Sequence, residues 1–110
     1  MKQYVIDELR PDDYDKIKSY FERQFGNGQL GGIYWIPLDE SLLNETQTGH
    51  NACKPFFFAV ELAPGSIACE FLVRTRNTVR CDCIGYATEY QRNWLIEKID
   101  RIFSELEIKT

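Results

Sequence analysis

Five side chains in this 110-residue chain are of types that bind metals or attack electrophiles: His50, Cys53, Cys69, Cys81 and Cys83. His50 and Cys53 stand three apart, and Cys81 and Cys83 two apart. Together they supply four nitrogen and sulfur ligands, the number zinc takes in a tetrahedral site. The single residue between Cys81 and Cys83 departs from the usual zinc pairs, which are separated by two to four residues on a turn. On a strand, Cys81 and Cys83 point to one face about 7 Å apart, so sharing a metal requires the strand to end or bulge there.

Core packing is the competing reading for three of the cysteines, since cysteine is among the most buried residue types. A three-residue turn at Arg76–Thr78 sets Val73 opposite Cys81 and Phe71 opposite Cys83, with Cys69 and Val79 on the same face. Glu70, Arg74, Arg80 and Asp82 then share the other face. Such sorting of apolar from charged side chains is what selects a strand register.

Cys53 differs, because Lys54 is its neighbour and a nearby cation lowers a thiol's pKa. With His50 it makes a candidate catalytic pair, for a thiol-dependent enzyme or a redox sensor. A catalytic pair also needs an orienting group and an oxyanion site, and the sequence identifies neither.

Arg74, Arg76 and Arg80 are candidates for anion binding, because guanidinium forks match phosphates and carboxylates. The same register opposes Arg74 to Arg80, which costs energy unless an anion lies between them. Pairing with Glu70 and Asp82 is the simpler reading. Gly26, Gly28, Gly31 and Gly32 do not make a phosphate loop, because they follow a helical pattern and precede a strand-like one. Asp12–Asp13 and Asp39–Glu40 read as acids at helix starts.

These residues are positioned by a short series of elements. A strand spans Gln3–Glu8, and Pro11 with Asp12 and Asp13 opens a helix whose apolar face is Tyr14, Ile17, Phe21 and Phe25. Gly26 and Gly28 end it. Ile33–Ile36 is strand-like, and Pro37 assigns it to an edge. Asp39 heads a short helix carrying Leu42 and Leu43, and Thr46–Lys54 is read as a polar loop. Three strands follow, Phe56–Leu62, Ile67–Thr75 and Val79 to Ile84 or Gly85, joined by turns as an antiparallel meander. Thr88 with Gln91 is a capping box, and Leu95, Ile99, Ile102, Phe103 and Leu106 stripe the final helix. The order β-α-β-(short α)-β-β-β-α predicts one α+β domain: a two-layer sandwich with an antiparallel sheet of four to five strands and both main helices on one face.

Both faces of the Phe56–Leu62 strand are apolar, so a one-sided helical layer leaves Phe57, Leu72 and Ile84 as candidate interface residues. A second copy packed sheet to sheet would cover them; so would the Asp39–Gln47 segment of the same chain. The chain holds 13 Lys and Arg against 17 Asp and Glu, a net charge of -4. That balance argues against nucleic acid or an anionic membrane as partner. No secretion signal or apolar span is evident, which predicts a cytoplasmic protein with reduced thiols. The leading expectation is a non-catalytic protein-interaction or self-associating module without a cofactor. Thiol chemistry at Cys53, or zinc on His50, Cys53, Cys81 and Cys83, are its rivals.

Overall fold

The computed structural model describes residues 3–26, 32–50, 53–75 and 84–108. The elements are β1 (Gln3–Ile6), α1 (Pro11–Phe25), β2 (Ile33–Pro37), a 3₁₀ turn (Glu40–Leu42), α2 (Glu45–Gly49), β3 (Phe56–Ala63), β4 (Ser66–Thr75), β5 (Gly85–Tyr86) and α3 (Glu89–Glu105). This is the expected α+β order.

Among the described residues five strands form one antiparallel sheet in the order β1–β4–β3–β2, with β5 also on β4. β1 pairs with Ile67–Glu70 and β5 with Leu72 and Val73, so the two lie end to end along one edge of β4. The β3–β4 ladder shifts at the same point. Phe58 faces Val73 and Val60 faces Cys69, so β3 advances two residues while β4 advances four. A bulge of this kind bends the strand. Because the offset is even, inward and outward side chains keep alternating along β4.

The inward face of β2, β3 and β4 is buried: Tyr34 and Ile36, Phe56 to Leu62 at alternate positions, and Ile67, Cys69, Phe71 and Val73. α1 packs on it through Ile17 and Phe21, with the Phe21 ring 5.2 Å from Tyr34. α3 packs on it through Leu95, Ile99, Ile102 and Phe103, and its Trp94 stacks on Phe58 at 6.3 Å. Tyr4 of β1 donates to Asp100 of α3 at 2.7 Å. Burial, reinforced by that carboxylate, pushes the Tyr4 hydroxyl up to about 12.

Local chemistry accounts for the helix ends. Asp13 reaches back to the Arg10 backbone N–H at 3.3 Å and to its guanidinium at 3.2 Å. That guanidinium hydrogen bond holds the Asp13 carboxyl below its ordinary value against the opposing effect of burial. Thr88 and Gln91 close the expected box, at 3.2 and 3.0 Å. α3 ends with Glu107 at φ 58, Glu107 N–H donating to Ser104 O and Ile108 N–H to Phe103 O. That is a Schellman motif with glutamate where glycine is usual.

Two expectations change. Thr46–Lys54 is not wholly loop: α2 occupies Glu45–Gly49, opened by a second capping box between Asn44 and Gln47. The last strand is also displaced. Val73 faces Gly85 rather than Cys81, and Leu72 faces Tyr86. The slide is four residues, and an even slide leaves every side chain on the same face, so polarity sorting does not distinguish the two registers. Cys81, Cys83, Arg76, Arg80 and Val79 lie outside the described residues.

Candidate functional site

The thiol candidates sit where α2 runs into β3. His50 caps α2, and its Nδ1 bonds the Thr46 carbonyl one turn back. In the neutral ring this makes Nδ1 the donor and leaves Nε2 as the basic nitrogen. Cys53 is buried, at 8% exposure. Its N–H donates to His50 O at 3.0 Å, and its carbonyl accepts from the Thr75 hydroxyl. The cation beside it, Lys54, places its Nζ 3.4 Å from Glu40. Cys69 lies on the inward face of β4, fully buried. Burial, with the Asp100 charge added, pushes its thiol up to about 12, so it stays protonated and packs as a small apolar group. Among the described residues no three His, Cys, Asp or Glu side chains gather in a metal-binding group. Cys81 and Cys83 are not among those residues.

Arg74 points to the outward face of the sheet and pairs with Glu70, Nη2 at 2.7 Å and Nε at 3.0 Å from one carboxylate oxygen. The two are four apart on β4 and span the bulge. Beside this ion pair the outward face carries apolar groups, together with Gln3 opposite Glu70 and Glu61 on β3. Phe57 is half-buried and edge-on to Trp35, at 5.7 Å and 86°. Phe57 faces Arg74 across the β3–β4 ladder, and half-buried Leu72 faces Tyr86 across β4–β5. Val5 and Tyr86 are 42% and 54% exposed. A shallow recess of about 170 Å³ opens across β1 to β4, lined by Gln3, Ile33, Ala59, Glu61, Ala68 and Glu70. Ile84 behaves differently from Phe57 and Leu72, because it is half-buried against the core cluster.

The Asp39–Gln47 segment does not roof this face with the contacts described. It braces the start of α3 on the helical side. Buried Gln91 donates from Nε2 to Leu42 O at 2.7 Å and to Gln47 Oε1 at 2.9 Å. Gln47 Oε1 also accepts from the Asn44 N–H at 3.1 Å, so two capping boxes share one buried amide contact. The sequence carries the signal for this brace in Asn44-x-x-Gln47, the same spacing as Thr88-x-x-Gln91.

The described residues thus set aromatic and aliphatic groups beside one ion pair on the outward face of the sheet. No helix of the described residues is long and apolar enough to cross a membrane. No family model, curated protein or solved structure matches the chain.

Proposed function

We propose that this protein is a non-catalytic interaction module that docks onto protein through the outward face of its sheet. One observation carries the reading. Trp35, Phe57, Leu72 and Tyr86 share that face around the Glu70–Arg74 pair, while α1 and α3 both pack on the opposite one. Aromatic residues and arginine are the types enriched at the centres of protein interfaces. The acidic balance of the chain favours a protein partner over nucleic acid. We place the module in the cytoplasm, a reading supported by the two free cysteines among the described residues, Cys53 and Cys69.

The test is the size at which the chain migrates in fresh lysate of its own cell. The wild-type chain is expected to elute well above the mass of one copy. Leu72→Asp with Tyr86→Asp should return it to that mass while keeping a native circular dichroism spectrum. Equal elution of the two chains overturns the reading.

A further inference from the structure

We propose that the occupant of the outward face is a second copy of this chain, packed sheet to sheet about a two-fold axis that passes at Leu72. This rests on the docking reading above and adds the partner. Its basis is charge complementarity. Glu70 and Arg74 lie on one strand, one on each side of Leu72, with both side chains partly accessible at 34% and 42%. A two-fold axis through Leu72, in the interface plane and across β4, reverses the strand direction of the second copy. Glu70 of each copy then lies over Arg74 of the other, and Leu72 lies over Leu72. The two intrachain pairs become one four-membered network in which every charge has an opposite neighbour on both sides. A single acid or a single base at this place would repel its own copy. An acid–base pair set about one apolar residue is self-complementary under this axis, as an isologous contact requires.

The aromatic positions fit the same axis. Tyr86 is the ladder partner of Leu72, so it falls close to the axis and meets Tyr86 of the other copy. Phe57 is the ladder partner of Arg74 and lies on the flank, where it borders the Glu70 side of the second copy. Face-to-face sheets pack about 10 Å apart, and side chains of this size fill that gap.

Charge exchange tests the arrangement in a way that intrachain pairing does not imitate. The wild-type chain is expected to be dimeric by sedimentation equilibrium at micromolar to 100-micromolar loading. The Arg74→Glu chain carries acids at both positions, and the Glu70→Arg chain carries bases at both. Each alone should dissociate about a hundredfold more readily, or more, since like charges brought face to face disfavour association strongly. An equimolar mixture should regain a dimer containing one chain of each kind, resolved by native mass spectrometry. Within each variant the Glu70–Arg74 pair is already lost, so only contact between copies explains rescue by mixing.

Leu72→Cys supplies a second readout if a charge variant fails to fold. Mild oxidation should link it to itself well above the wild-type chain treated alike, and Lys18→Cys on the exposed side of α1 should not link. A monomeric wild-type chain, charge variants that dimerise as wild type does, a mixture that stays monomeric, or Leu72→Cys no better linked than wild type would each overturn the dimer. A wild-type chain that is monomeric when pure yet migrates as a complex in lysate would remove the second copy as occupant and leave the docking reading standing.

Discussion

Replacing Gln91 by leucine tests how the scaffold is held. Leucine is close in volume, so the perturbation is mainly the loss of three hydrogen bonds: to Leu42 O, to Gln47 Oε1 and from the Thr88 N–H. Gln47 Oε1 keeps the Asn44 N–H, and Thr88 is exposed, so water replaces its lost bond. The Leu42 carbonyl is left buried without that donor. An unsatisfied buried group costs about 1–3 kcal/mol, and losing half of a capping box costs roughly 0.5–1 more, so we predict a loss of about 2–4 kcal/mol. For a domain of this size that lowers Tm by roughly 8–20 °C.

Gln91→Glu sharpens the test. Its carboxyl must be protonated to donate to either of the two oxygens that Gln91 serves, its single O–H reaching one of them, and an ionised carboxylate would face both, so its folded pKa rises above the ordinary value of about 4.3. A raised pKa gives stability that is present below the unfolded value and is lost as pH rises through the folded one. The variant should therefore be more stable than Gln91→Leu near pH 4, where it keeps one of the two donations, and fall below Gln91→Leu at pH 7. Urea unfolding followed by circular dichroism, with wild type measured at each pH, reads both effects. A Gln91→Leu chain within about 0.5 kcal/mol of wild type, the usual range for surface changes, would refute the reasoning.

Gly32→Ala should destabilise the fold by about 2 kcal/mol or more, because Gly32 has φ 97 and an added Cβ would lie 2.7 Å from the Leu62 carbonyl oxygen. Glu107→Gly should stabilise it by about 1 kcal/mol in the same unfolding assay, by relieving the left-handed cap of α3. Cys69 should resist iodoacetamide in the native protein at pH 8 and react only in denaturant, since it is fully buried and its thiol is pushed up to about 12. Asp13 has a lowered folded pKa, so its contribution to stability is present above the unfolded carboxylate range and is lost as pH falls through the folded value. Thermal melts between pH 5 and 2 should accordingly show a shallower acid limb for Asp13→Asn than for wild type.

The elements that the sequence declares are those with strong local signals. Pro11 with Asp13 and Thr88 with Gln91 mark the helix starts, and alternation along Phe56–Leu62 marks a two-sided strand. α2 is missed because five residues carry no apolar period, although Asn44 and Gln47 announce its cap. The placement of β1 beside β4, more than sixty residues away, is a non-local pairing that local patterning does not encode. The β4–β5 register escapes because an even slide keeps every face unchanged. In the candidate site, Phe57 and Leu72 are legible from alternation. Ile84 is not, because it precedes β5, where strand alternation has yet to begin. The buried Gln47–Gln91 contact joins residues 44 apart, and only their matching cap patterns hint at it.

The most direct measurement of the central claim is a photo-crosslinking amino acid placed at Tyr86, on the outward face, in the chain expressed in its own cell. Docking through that face predicts a discrete protein adduct from position 86 and none from the same group at Lys18, on the exposed side of α1. No adduct from position 86, or adducts equally abundant from both positions, would contradict it.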